Sequence, residues 1–116
     1  MIGRAVLLAT LLVGGQQSAA EPAGSPRVIR VVAKKFDFTP AEIHVRQGEH
    51  VVLELVAADR KHGFKLPELG IRADVLPGTS TRVEVTPQKP GRYPFACDIF
   101  CGEGHEDMNG TLIVDP

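Results

Sequence analysis

The sequence has no excess of charge of either sign and no long apolar run. Thirteen Lys and Arg residues stand against fourteen Asp and Glu residues, which gives a formal net charge of −1. This balance disfavours nucleic-acid binding, which needs a basic face. No apolar stretch approaches the roughly 20 residues that a membrane-spanning helix requires, and no stretch shows helical periodicity. With 116 residues, the chain is expected to form one domain.

The amino-terminal residues have the composition of an export signal. Arg4 gives a positive start, an apolar segment follows from Ala5 to Val13, and Ser18, Ala19 and Ala20 are small. This order predicts a signal peptide over residues 1–20, with cleavage after Ala20. Residues 21–27 are rich in Pro, Gly and Ser and predict a flexible leader. We therefore expect an exported, periplasmic or otherwise extracytoplasmic protein whose folded domain covers residues 28–116.

The rest of the chain predicts an all-β fold. Short β-branched segments with period-two alternation indicate half-buried strands, separated by Gly- and Pro-containing turns. In one of them Ile43 and Val45 are expected to point inward. So many short strands in about a hundred residues favour an antiparallel two-sheet Greek-key β-sandwich. The predicted strands are Val28–Ala33, Glu42–Arg46, Val51–Val56, Thr81–Thr86, Arg92–Ala96 and Thr111–Val114.

The chemistry is concentrated in the last twenty residues, in the spacing Cys-x3-Cys-x3-His-x2-Met. These residues are Cys97, Cys101, His105 and Met108, and His62 is expected to join them from a loop after the Val51–Val56 strand. Thiolate, imidazole and thioether form a soft ligand set that suits copper far better than magnesium or calcium. A mononuclear blue-copper site needs one thiolate, so the second cysteine leaves room for two bridged copper ions.

Two other interpretations of these residues remain open. In an oxidising compartment, the only two cysteines could form a structural disulfide, although one between Cys97 and Cys101 would close a very short loop. Two Cys and two His residues are also a valid zinc set, but zinc has no redox use and methionine is not among its usual ligands. His44 and His50 have no cysteine nearby and are expected to face solvent.

The segment from Cys97 to Met108 resembles the binuclear copper A loop of cytochrome c oxidase subunit II. His62 lies 35 residues before Cys97, as in that family, and Gly70–Gly78 is similar to its connecting stretch. The resemblance covers roughly Val28 to Pro116 and implies a cupredoxin sandwich holding two copper ions. Nitrous oxide reductase shares the ligand spacing, but Gly102 after the second cysteine is more similar to the oxidase version.

The resemblance also implies a role for each ligand. Cys97 and Cys101 would bridge the two coppers, His62 and His105 would each bind one, and Met108 would supply the thioether. The carbonyl at Ile99 would complete the set. That family usually has Glu at this position, whose side chain serves a magnesium site, so the magnesium site is expected to be absent here.

The chain departs from the family in lacking two membrane helices and any tryptophan. It is therefore similar to a free-standing soluble copper A domain. We expect a one-electron carrier that is not an enzyme on its own, with a c-type cytochrome or a terminal reductase or oxidase as redox partner. An acidic rim could steer a basic partner; it would comprise Asp98, Glu103, Glu106 and Asp107. The alternative is a copper supply, chaperone or resistance module, which the single methionine of the mature chain disfavours.

Overall fold

A computed structural model describes residues 25–99 and 108–116. Within these two stretches the chain forms nine β-strands and one short 3-10 helix at Pro67–Leu69. No helix in the described stretches has the length and apolar character needed to cross a bilayer. The strands are β1 (Arg27–Lys34), β2 (Asp37–Thr39), β3 (Glu42–Arg46), β4 (Val51–Ala57), β5 (His62–Leu66), β6 (Ile71–Val75), β7 (Ser80–Val85), β8 (Gly91–Ala96) and β9 (Asn109–Asp115).

The strands form two sheets that pack face to face, which confirms the predicted β-sandwich. One sheet has the order β2-β1-β4-β7 and the other the order β3-β9-β8-β5-β6. The expectation of purely antiparallel sheets was wrong, because β1 pairs with β4 and β3 pairs with β9 in parallel. Alternation of apolar residues reports which face of a strand is buried, and it carries no information about the direction of the neighbouring strand.

All six predicted strands are present, and the alternation places the expected side chains inward. Ile43 and Val45 are both buried, while Glu42, His44 and Arg46 between and beside them are exposed. Strands β2, β5 and β6 were not predicted from the sequence. In β5 four of five residues are buried, so no alternation is visible, and β6 contains Arg, Ala and Asp, which are weak strand formers.

Three phenylalanines, one from the first sheet and two from the second, form the centre of the core. Phe38 contacts Phe64 edge-on with ring centroids 5.9 Å apart, and it contacts Phe95 in the same way at 5.3 Å. Phe64 and Phe95 lie 5.0 Å apart on neighbouring strands. Edge-to-face pairs add to the free energy of burial, so this cluster joins the two sheets. It lies next to the ends of β5 and β8 that carry His62 and Cys97.

We expect Phe38→Ala to lower the free energy of unfolding by about 3–5 kcal/mol, because it removes a buried ring that contacts both other rings. Urea denaturation of the reduced, metal-free protein measures the loss. Val28→Ala is the matched control, since Val28 lies in the same sheet but is 47% exposed. A loss no larger than that of the control would show that the cluster does not hold the sheets together.

Candidate metal centre

His62 is the first residue of β5 and is completely buried, with no exposed surface. The expectation that it lies in a loop was wrong. The strand begins at His62 because its backbone pairs with Val75 of β6 in an antiparallel register. A strand position fixes an imidazole more firmly than a loop position, because the backbone is hydrogen-bonded to its neighbour.

The two ring nitrogens of His62 have different surroundings. Nε2 lies 2.7 Å from Oδ1 of Asp59, and a carboxylate acceptor selects the tautomer with the proton on Nε2. Nδ1 is buried and has no hydrogen-bond partner within residues 25–99 and 108–116. A histidine ring that donates one N–H to a carboxylate and leaves its other nitrogen without a hydrogen-bond partner has the arrangement of a metal-ligating histidine.

Asp59 is held ionised by the groups around it. Partial burial opposes ionisation, but hydrogen bonds from the backbone N–H of Lys35, from the His62 ring and from the backbone N–H of Arg60 outweigh it. Together they lower the pKa of Asp59 from 3.8 to about 2. The carboxylate is therefore available at neutral pH to orient the ring. Asp59 was not among the residues predicted from the sequence, although a carboxylate three residues before a candidate ligand histidine was a usable signal.

Cys97 follows β8 directly, is 5% exposed and forms no disulfide within the described part of the chain. Its Sγ lies 3.5 Å from the backbone N–H of Gly63, which can donate to it, and the thiol lies 3.3 Å from the carbonyl oxygen of Ile99. The sulfur therefore lies beside the residue that follows His62. The Ile99 carbonyl, proposed from the resemblance as a ligand, is on the same side of the chain as the thiol.

Met108 is completely buried and directly precedes β9. Its carbonyl oxygen accepts a hydrogen bond from the Cys97 backbone N–H at 3.0 Å. This bond continues the β8–β9 ladder, whose last regular pair is Ala96 with Asn109. Cys97 and Met108 are therefore held side by side at the end of the β8–β9 ladder.

Asp98, a member of the proposed acidic rim, takes part in an ion-pair cluster. Its carboxylate accepts two hydrogen bonds from Arg72, and Arg72 also donates to Asp74. The hydrogen bonds from Arg72 lower the pKa of Asp98 and outweigh its partial desolvation. The other proposed rim residues, Glu103, Glu106 and Asp107, lie outside the described residues.

The described donors fit a soft metal ion in chemistry. An imidazole nitrogen that has no hydrogen-bond partner and a thiol that forms no disulfide among residues 25–99 and 108–116, together with a buried thioether, are ligand types that copper accepts and magnesium or calcium does not. No cluster of three His, Cys, Asp or Glu side chains suited to a metal occurs among residues 25–99 and 108–116. Cys101 and His105, which would complete the set, lie outside the described residues. His44 and His50 take no part in this group and instead lie near exposed carboxylates.

Comparison with known proteins identifies the fold. The family model of the cupredoxin-like domain matches residues 4–114. The chain belongs to the cupredoxin-like family. Its two mixed sheets are therefore a cupredoxin sandwich, as the resemblance implied.

Within the cupredoxin-like family, the chain is similar to cytochrome c oxidase subunit 2. The protein of that name from Thermus thermophilus is 34% identical over 98 residues, which are 84% of this chain and 73% of the relative. A second Thermus thermophilus protein of the same name is also 34% identical over 98 residues, and the chain spans 58% of its length.

A solved structure shares the fold of this chain. The periplasmic domain of subunit II of cytochrome oxidase from Bradyrhizobium japonicum superimposes with a TM-score of 0.71. The match has 20% identity and covers 76% of this chain and 83% of that domain. At this identity the match shows a shared fold.

We expect His62→Leu to change the free energy of unfolding of the metal-free protein by no more than about 1 kcal/mol. Removing a buried nitrogen without a partner recovers a desolvation cost that offsets the lost hydrogen bond to Asp59. Leu66→Ala, on the same strand, is the control and should cost about 2–5 kcal/mol. If thermal or urea unfolding shows the two variants equally damaged, His62 is a structural core residue.

Proposed function

We propose that this chain is a one-electron carrier with a binuclear copper centre. The observation that supports it best is the buried His62 ring, whose Nδ1 has no hydrogen-bond partner in the described stretches. The next residue, Gly63, places its backbone N–H beside the Cys97 thiol. The proposed ligands are His62, Cys97, the Ile99 carbonyl, Cys101, His105 and Met108.

An electron carrier must keep its ligands nearly fixed when its charge changes. In this chain His62 begins β5, Cys97 follows β8 and Met108 precedes β9, and β8 pairs with both of the other strands. Each of these three residues is therefore fixed at the end of a hydrogen-bonded strand. Ligands held in this way change position little between two oxidation states.

Other described groups have separate roles at the proposed centre. Asp59 holds the imidazole with Nε2 protonated, so that Nδ1 keeps its lone pair for a metal. The Gly63 N–H points to the Cys97 sulfur and would stabilise negative charge on a thiolate. Burial of His62, Cys97 and Met108 keeps water from these donors. Copper bound here would supply a reversible one-electron couple, shared across two ions by the sulfur bridges.

The relatives support a proposal for the cellular location and the redox partners of this carrier. Subunit 2 of cytochrome c oxidase and a periplasmic subunit II domain are among the proteins it resembles. We infer that the chain works outside the cytoplasm and exchanges electrons with a c-type cytochrome or with a terminal oxidase or reductase.

We expect the protein, with its cysteine thiols reduced, to take up about two copper ions per chain and, in the oxidised mixed-valence state, to be purple with a multi-line resonance. Cys101→Ser should abolish that resonance while the far-ultraviolet signature of the sandwich stays unchanged, because a single thiolate cannot make two sulfur bridges. Metal analysis, visible spectra and electron paramagnetic resonance measure these outcomes.

The other outcomes decide against the carrier. An unchanged visible spectrum in Cys101→Ser would reject the two-sulfur bridge. One loosely held copper(I) ion in the unsubstituted protein would favour a copper supply role. A colourless protein that takes up no copper under reducing conditions would leave a structural β-domain.

We expect Met108→Leu to keep the fold and the copper but to shift the reduction potential. The two side chains have similar volumes, and such exchanges in a core cost less than about 1.5 kcal/mol, whereas a thioether ligand tunes the potential of a copper site. Leu112→Met, at a buried position of β9, is the control and should leave the potential unchanged. A potential unaltered by Met108→Leu, measured by redox titration, would exclude Met108 as a ligand.

A further inference from the structure

An ion pair links the residue after Cys97 to a strand that is not its neighbour. The Arg72 guanidinium on β6 donates to Asp98 from Nε at 2.9 Å and from Nη2 at 2.7 Å. Two parallel hydrogen bonds between a planar guanidinium and a carboxylate fix both orientation and distance. Because β5 lies between β6 and β8 in the sheet, this pair reaches across β5.

Gly63 on β5 is the residue beneath the ion pair. Lys65 pairs with Ala96, and the same antiparallel register continued by two residues places Gly63 opposite Asp98. A Cβ atom at Gly63 would overlap Asp98 Oδ1 and lie 2.8 Å from Arg72 Nη2. The absence of a side chain at Gly63 is therefore what allows the ion pair to lie flat on β5, directly beside His62.

Asp98 compensates two positive charges that face each other across the β5–β6 ladder. Arg72 stands opposite Lys65 across the β5–β6 ladder, and like charges in directly opposite positions destabilise a sheet. Asp98 compensates both cations, since Arg72 and Lys65 each contribute to lowering its pKa. On the far side of Arg72, Asp74 accepts a further hydrogen bond and lies 3.8 Å from Lys61 Nζ.

We propose that Arg72 is a positioning residue for the proposed metal centre. Through Asp98 it holds the backbone that follows Cys97 against Gly63, and this keeps the Cys97 sulfur buried beside the Gly63 N–H. The inference rests on the proposed function only in naming Cys97 as a ligand. The restraint itself belongs to the metal-free protein and can be measured there.

The first experiment measures the reaction rate of the Cys97 thiol with a disulfide reagent in reduced, metal-free protein. Every protein compared carries Cys101→Ser, so that Cys97 is the only thiol that can react. Arg72→Gln should speed the reaction about threefold to fivefold, as expected for loss of a partly exposed ion pair. Arg82→Gln removes a comparable exposed pair with Glu54 on the other sheet and should leave the rate unchanged.

Two further variants separate position from charge. Losing the positive charge of Arg72 would by itself slow attack by the thiol, whereas losing the negative charge of Asp98 would speed it. Positioning predicts faster reaction for both Arg72→Gln and Asp98→Asn. Gly63→Ala changes no charge but displaces the ion pair, and it should also speed the reaction. Opposite effects of Arg72→Gln and Asp98→Asn, or an unchanged rate in all three variants, would overturn the proposal.

The second experiment uses the copper-loaded chain with both cysteines present. Arg72→Gln should release copper to a chelator about threefold to fivefold faster than the unsubstituted protein, and Arg72→Lys, which retains the charge but not the two-bond geometry, should restore only part of the difference. Equal release from Arg72→Gln and the unsubstituted protein would overturn the role at the metal centre. If the unsubstituted chain takes up no copper, the proposed function fails, while the thiol rates still decide whether Arg72 positions Cys97.

Discussion

The candidate centre depends on the pairing of β8 with a strand on each side. On one side β8 runs against β9 through six successive residue pairs, and on the other side it pairs with β5 at Lys65 and Ala96. This arrangement brings Cys97, Met108 and His62 to one end of one sheet although they are far apart in sequence. The Cys97 N–H to Met108 carbonyl bond extends the first pairing to two of the proposed ligand positions.

The fold carries a group at this end that does not serve stability. A buried imidazole nitrogen without a hydrogen-bond partner in the described stretches costs on the order of 1–3 kcal/mol. Phe64 lies two residues after His62 on β5 and belongs to the cluster with Phe38 and Phe95, whose burial offsets such a cost. A buried polar group without a partner, inside a core that otherwise follows the rules of packing, is typical of functional sites.

The sequence predicted the sandwich and six strands because alternation directly reports a sheet with one buried face. The same rule fails for β5, where only Lys65 is exposed, and so His62 was assigned to a loop. The ligand set stays a prediction from the sequence; it was predicted because most of its members are closely spaced within the last segment. The pair of Arg72 with Asp98 was not predicted, because 26 residues separate them and only the register of β5 with its two neighbours brings them together.

The positions of Asp59 and Arg72 show how the described part of this small domain can orient the proposed ligands. The segment from Cys97 to Met108 starts and ends at backbone groups 3.0 Å apart, so the β8–β9 ladder already provides its closure, and little further entropy is lost in bringing its ends together. Fixing the ends does not fix the direction of each donor. The hydrogen bond from His62 to Asp59 fixes the orientation of the imidazole ring. The two hydrogen bonds from Arg72 to Asp98 fix the position of the backbone that follows the Cys97 thiol. Both restraints use ionised carboxylates at partly exposed positions, so the charges that orient the donors keep some hydration while the donors themselves stay dry.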